Sequence, residues 1–509
     1  MEGAPLRVAF CFMPMAGHTN PSFPVARSLL AKGHQVHYFT HESIRPAVES
    51  TGAFFHSVAA YHAAYSEERY QVDSQIRLFA GLIQEHGLKE GGTNTGFMML
   101  NISKVSNLAV ELQLPGTLAF LDEVRPHVVV YDAMLICRDA LFAARMRGIP
   151  AVSLLTVAGP GAYADHMTAG VAHEAWVSEL EGFAPHVAAT RRLNEKYGLG
   201  LPVVEPPLLM LSRATTHLVT TSESLQDPMY PELAQAYKAQ GATFAFVGPL
   251  LDETEGAVRL GMAKGKEDAG GSEVLAAARE AKAAGRRIVI ASMGTLLTSN
   301  LPGTGWEGSG VGEDGRPRGL CGRELCQGAW GGLFDAFGAA SASEGPLLIV
   351  SLGNRADALD GLARPPNALC PMGLPQVDLL RLGVDLFVTH GGQNSFMESM
   401  SNGTPVVVCP GFGDQIVNAT KAKALGVGLP VYRPDPDAGM AAEAAAEYRV
   451  SVRRAAAAVM GAPAFGQAAG RVASELKQAG GVPGAVQVLL DVAAARPTAF
   501  AGDMVARGS

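Results

Sequence analysis

Short apolar runs alternate along the chain with longer segments in which apolar residues recur at helical spacing. The stretch Arg7–Met13 is apolar after its first residue, which predicts a strand buried on both faces. Asn20 and Pro21 open a helical pattern that runs to Lys32, with Asn20 as the expected cap and Pro21 at the first helical position. Gly33 ends that pattern, and a second strand is expected over Gln35–Thr40. Further strands are predicted at His127–Tyr131, Ala151–Leu155, His217–Thr220 and Phe244–Val247. Strands separated by helices imply parallel βαβ units.

The texture changes at Gly248. From there to Gly285 the chain is rich in Gly, Ala, Glu and Lys and has no strand pattern, which reads as an interdomain linker plus a solvated helix. A second strand series follows at Arg287–Ser292, Leu347–Leu352, Asp385–Thr389 and Pro405–Cys409, and the Ala-rich stretch Ala441–Met460 reads as a helix. The expectation is an α/β protein with two doubly wound sheets. The first domain spans 1–250, the linker 251–285 and the second domain 286–470; a helical segment over 471–495 and a loose tail over 496–509 complete it. Within the second domain, 299–331 is Gly-rich. Its Gly303-x-Gly305-x-x-Gly308 has dinucleotide-fingerprint spacing but neither directly follows a strand nor opens a helix, so a flexible surface insertion is expected.

Composition narrows the function classes. Hydrophobic residues make up 48% and charged residues 17%, a globular balance. The net charge of −8, without a basic stripe, argues against nucleic acid as a partner. The start of the chain lacks the long apolar region of a signal peptide, and no uncharged apolar stretch reaches the roughly 18 residues of a membrane span. A cytoplasmic location is therefore expected. Six cysteines are scattered, and only Cys321 and Cys326 stand close; they read as free thiols rather than zinc ligands.

Ligands of doubly wound sheets sit beyond the carboxyl ends of the strands. Four candidate segments fall there: Gly17-His18, Asp132, Ser292 to Thr295 with Gly294 between, and His390-Gly391-Gly392. The last continues as Gln393-Asn394-Ser395-x-x-Glu398. Glycines followed by helix amides form a diphosphate site, because the unpaired N–H groups carry about half a positive charge. Ser395-x-x-Glu398 equally fits a capping box that needs no ligand. His18 titrates near neutrality and suits a general base, with Asp132 placed to orient it; alternatively both only cap neighbouring helices. Phe79 and Phe97-Met98-Met99 fit either an acceptor pocket or plain core.

These positions together resemble the family 1 glycosyltransferases of GT-B fold, which use UDP-sugars. The resemblance rests on Gly17-His18-x-Asn20-Pro21, Ser292-x-Gly294-Thr295 and Pro375-Gln376-x-x-Leu379-Leu380. It rests most on Thr389-His390-Gly391-Gly392-x-Asn394-Ser395-x-x-Glu398, Gly403-x-Pro405, Pro410 and Asp414-Gln415-x-x-Asn418-Ala419. It implies two Rossmann-like domains facing a central cleft and metal-independent inverting transfer of a hexose, glucose foremost, to a small lipophilic acceptor. His18 would be the base and Asp132 its orienting partner. His390, Asn394 and Ser395 would contact the diphosphate, with Gly391 and Gly392 allowing close approach. Glu398 would hold the ribose, Asp414 and Gln415 the sugar hydroxyls, and Gln376 the uracil region. The resemblance implies no cofactor beyond the sugar nucleotide. One departure stands out: Gly373 occupies the place where many members stack an aromatic on the base. A sugar-nucleotide epimerase of the same fold and an inactive nucleotide-sugar binder are the alternatives.

Overall fold

The structure is a computed structural model that describes residues 5–62, 75–88, 95–161, 171–204, 214–229, 231–260, 268–300, 305–308, 310–311, 317–437 and 439–495. The first sheet has seven parallel strands: β1 (Arg7–Cys11), β2 (Gln35–Thr40), β3 (Phe54–Ser57), β4 (Val128–Asp132), β5 (Ala151–Leu155), β6 (Thr216–Val219) and β7 (Thr243–Phe246). Their order is β3-β2-β1-β4-β5-β6-β7. The central strands are apolar on both faces, as a parallel sheet covered by helices requires, and every residue of β4 is buried.

The second domain holds β8 (Ile288–Ser292), a two-residue ribbon of β9 (Gly310–Val311) and β10 (Pro317–Arg318), then β11 (Leu347–Ser351), β12 (Ala368–Leu369), β13 (Leu386–Thr389), β14 (Val406–Val408) and β15 (Gly428–Pro430). Its main sheet is parallel with the order β12-β11-β8-β13-β14-β15. Each sheet reverses its winding once, between β1 and β4 in the first and between β8 and β13 in the second. Those switch points are where doubly wound sheets bind ligands.

Two features differ from the sequence expectation. The helix Asp268–Ala283 is not a solvated part of the linker. It buries Val274, Leu275, Ala278 and Ala281 in the core of the second domain. The described parts of the 299–331 segment are not a surface insertion. Trp306 is 1% exposed, Leu320 is buried, and the helix Gly322–Phe337 places Leu325, Cys326, Ala329, Trp330 and Leu333 in the core. Gly332 lies against the helix Ala441–Gly461, where a Cβ would come within 2.7 Å of the Arg449 carbonyl. Gly328, Gly331 and Gly332 of the Gly322–Phe337 helix, all against Ala441–Gly461, permit close helix packing rather than flexibility. Gly303 lies outside the described residues, as does the tail over 496–509.

The expected C-terminal segment also divides. The helix Pro463–Leu476 belongs to the second domain, whereas Gly481–Ala494 returns to the first and buries Ala485, Val486 and Leu489 beside Phe23 and Leu29. The two crossings touch, because the Gly481 amide donates to the Val247 carbonyl at 2.7 Å. No helix among the described residues is long and apolar enough to cross a membrane. All six cysteines are unpaired.

Candidate active site

On the first domain the chain leaves β1 and turns into a single helical turn, Ala16–Thr19, that carries His18. Asp132 is the last residue of β4, the neighbouring strand across the switch point. His18 Nδ1 lies 3.2 Å from one Asp132 oxygen and 3.1 Å from the other. Asp132 is 1% exposed, and its Oδ1 also accepts the Met134 amide at 3.0 Å, which fixes the carboxylate. Thr156 Oγ1 stands 3.3 Å from the same ring nitrogen. With the Nδ1 proton held by Asp132, Nε2 is left as the basic nitrogen. Burial disfavours the imidazolium, but the charge of Asp132, its hydrogen bond and the charge of Asp414 outweigh it, and the His18 pKa is raised above 6.5.

Neither capping alternative describes this side of the cleft. The helix after Asn20 begins at Ser22 with Pro21 as its cap residue and has no side-chain cap. Asn20 instead pairs with the backbone of Leu260, accepting its amide at 2.7 Å and donating to its carbonyl at 3.1 Å.

On the second domain, β13 ends at Thr389 and the glycine turn leads into the helix Gln393–Ser401. Gly391 has φ +83°, and a Cβ there would meet Val408 Cγ1 at 2.4 Å, so only glycine fits. The His390 ring is sandwiched between Gly294 and Gly392, whose Cβ positions would lie 2.5 and 2.6 Å from its Nε2. The His390 amide donates to the Ser292 carbonyl at 3.3 Å, which ties β13 to β8. Burial pulls the His390 pKa down to about 4, so its ring is neutral near pH 7 and its buried Nδ1 has no protein partner. Thr295 is exposed on the adjoining turn Gly294–Leu297.

Ser395 and Glu398 form no capping box, because Gly392 is the cap residue and no side chain caps this helix. Glu398 is 5% exposed in its side chain, and both of its oxygens are taken. Arg259 Nη2 donates to one at 2.6 Å and Gln376 Nε2 to the other at 2.6 Å. Gln376 also donates to Ser395 Oγ at 3.2 Å, so it orients the carboxylate. Asp414 accepts the Gln393 amide at 3.1 Å, whereas the Gln415 carbonyl oxygen turns inward to accept the Gly411 and Phe412 amides at 2.9 and 3.4 Å. Asn394 reaches across the cleft and donates to the Gly17 carbonyl at 2.8 Å, next to His18.

The structure thus gathers the sequence-derived residues into two facing clusters. Asn418 braces the glycine turn by donating to the Gly391 carbonyl at 2.8 Å. It stood within the motif but had no role assigned. Thr156 and Arg259 carry no motif; only the fold brings them in. Phe79 and Met99 are core residues, while Phe97 is 37% exposed. Among the described residues no group of three His, Cys, Asp or Glu side chains is arranged to hold a metal ion.

Comparison with known proteins agrees with this fold. Residues 356–433 match the family described as UDP-glucoronosyl and UDP-glucosyl transferase. The chain is 22% identical to the NDP-glycosyltransferase YjiC of Bacillus subtilis over 83% of each sequence. It is 23% identical to the oleandomycin glycosyltransferase of Streptomyces antibioticus, covering 96% of this chain and 91% of that one. Among solved structures, the kitacinnamycin glycotransferase superposes with a TM-score of 0.61 at 22% identity, covering 96% of this chain and all of the other. The calicheamicin glycosyltransferase CalG4 does so at 0.58 and 17%, covering 96% of this chain and 98% of its own. The paired sheets and the solved structures give a GT-B fold, and the family match over the donor-side motif together with these relatives supports a glycosyltransferase that uses a nucleotide-sugar donor.

Proposed function

We propose that the enzyme transfers a hexose, glucose foremost, from a pyrimidine nucleoside diphosphate to a hydroxyl of a small lipophilic acceptor, with inversion and without a bound metal. His18 Nε2 takes the acceptor proton as the oxygen attacks the anomeric carbon. Asp132 holds the ring and stabilises the imidazolium that forms. The amides at the start of the Gln393–Ser401 helix receive the charge of the departing diphosphate. Glu398 takes the ribose hydroxyls, and Asp414 with Gln415 takes those of the sugar. The carrying observation is the Asn394–Gly17 hydrogen bond, which sets the donor helix beside the turn bearing His18.

Gly373 offers no ring to stack on the base, and its neighbour Met372 is 43% exposed, an adaptable surface. Uracil and thymine are therefore both accepted in this reading. The structurally similar VinC was captured with dTDP, which supports testing both. A silent binder has no use for a base oriented at the cleft, and an epimerase, which turns over its nucleotide sugar alone, has no use for an acceptor. A screen of UDP- and dTDP-sugars against hydroxylated lipophilic acceptors, with mass detection, is expected to show acceptor plus one hexose, unchanged by a chelator. Donor turnover that ignores every acceptor would overturn the assignment.

A further inference from the structure

The ion pair at Glu398 joins two parts of the chain that nothing in the motif connects. Arg259 lies on the crossing segment, and its neighbours are pinned to the first domain. Arg27 donates to the Val258 carbonyl at 3.0 Å and pairs with Asp252 at 2.6 Å, while Asn20 holds both backbone groups of Leu260. The main chain at Arg259 is thus fixed to one domain while its guanidinium reaches the donor helix of the other. The pair is largely buried, with side-chain exposures of 16% for Arg259 and 5% for Glu398.

A ribose that hydrogen-bonds Glu398 meets this contact, since each oxygen already accepts one hydrogen bond, from Arg259 and from Gln376, and only its remaining lone pairs are open. A displaced guanidinium left unpaired in a closed site is costly. Pro21, Thr220, Asn394 and Met397, which line the same small cavity as Arg259 and Glu398, are all uncharged. The replacement anion must therefore come with the ligand. Asn394 sits about one helical turn before Glu398, about 6 Å along the axis and on the same face. That distance is within the swing of an arginine side chain whose backbone stays still. Guanidinium binds phosphate oxygens through paired hydrogen bonds.

We propose that Arg259 is a donor-binding residue that exchanges partners. It neutralises Glu398 in the empty site and transfers to the diphosphate when the ribose takes Glu398. This rests on the reading of Glu398 as the ribose carboxylate.

The test is calorimetric titration of the full-length protein with uridine, thymidine, UDP and dTDP. Arg259→Ala is expected to bind the nucleosides at least as tightly as wild type and the diphosphates about ten- to a hundredfold more weakly. The affinity ratio of diphosphate to nucleoside therefore falls by that factor or more. Arg259→Lys, which keeps a charge but loses the paired geometry, falls between. A ratio unchanged in Arg259→Ala overturns the proposal, whether both affinities hold, rise or drop together. Glu398→Gln tests the underlying reading separately: it weakens nucleoside and diphosphate alike, and unchanged nucleoside affinity would sink the ribose role whatever Arg259 does.

Discussion

The two faces of the cleft solve the same problem in opposite ways. On the first domain, Asp132 and Thr156 both address Nδ1 of His18 and not its other ring nitrogen. On the second, the polar groups satisfy one another: Glu398 has Arg259 and Gln376, and Gln415 holds its own loop. A proton acceptor works best when orientation is set before substrate arrives. A donor site that must release a charged product gains from protein partners that reclaim each group afterwards. Base-side variants should therefore change rate, and donor-side variants should change affinity.

The largest effect is expected at His18. His18→Ala removes the proposed base and should lower turnover on an alcohol acceptor by about 10²–10⁴ while nucleotide affinity stays near wild type. A steady-state rate measured beside a titration separates the two.

Asp132→Asn comes next. Losing a charge-assisted hydrogen bond of about 1.5–3 kcal/mol corresponds to about a ten- to hundredfold slower reaction. It should also shift the pH profile. His18 must be neutral to act, so in the wild type kcat/KM rises with pH through a midpoint above 6.5. Without the carboxylate the effect of burial prevails, and the midpoint moves to lower pH. The stability linkage has the opposite sign. Because the folded pKa is raised, the charged pair stabilises the fold fully below pH 6.5, and that contribution is lost as pH rises through the folded value. The enzyme is thus active where this stabilisation has gone, and a melting-temperature profile of wild type against Asp132→Asn would show the difference at low pH only.

On the donor side, Glu398→Gln should weaken nucleotide binding about tenfold, and it should lower the melting temperature because Arg259 loses its counter-charge. The smallest change is expected for Gln415→Glu. The carboxylate still accepts the Gly411 and Phe412 amides, so the loop holds, but the side-chain donor is lost. UDP affinity should stay and UDP-sugar affinity should fall by about two- to tenfold. A loss of UDP affinity would instead mean that the loop had moved.

How much of this was legible in the sequence depends on residue type. Gln35–Thr40 and Ala151–Leu155 match the predicted strands to the residue, since central parallel strands advertise themselves as apolar runs. Phe54–Ser57 and Gly428–Pro430 escaped, being short edge strands, one of them with Gly and Pro. The Gly322–Phe337 helix was missed because glycine counts against a helix locally, although here it lets two helices approach closely. At the site, the motif supplied His18, Asp132 and Glu398 as positions. It did not show that Glu398 is paired, because the partner lies 139 residues away on a segment with no pattern.

The most direct measurement of the central claim compares wild type and His18→Ala on two acceptors of similar shape, a simple alcohol and a low-pKa phenol. A base is needed only when the nucleophile still carries its proton. The account predicts a gap of about 10²–10⁴ on the alcohol that narrows markedly on the phenol once the phenol is ionised. An equal gap on both acceptors, or near wild-type turnover of His18→Ala on the alcohol, would contradict it.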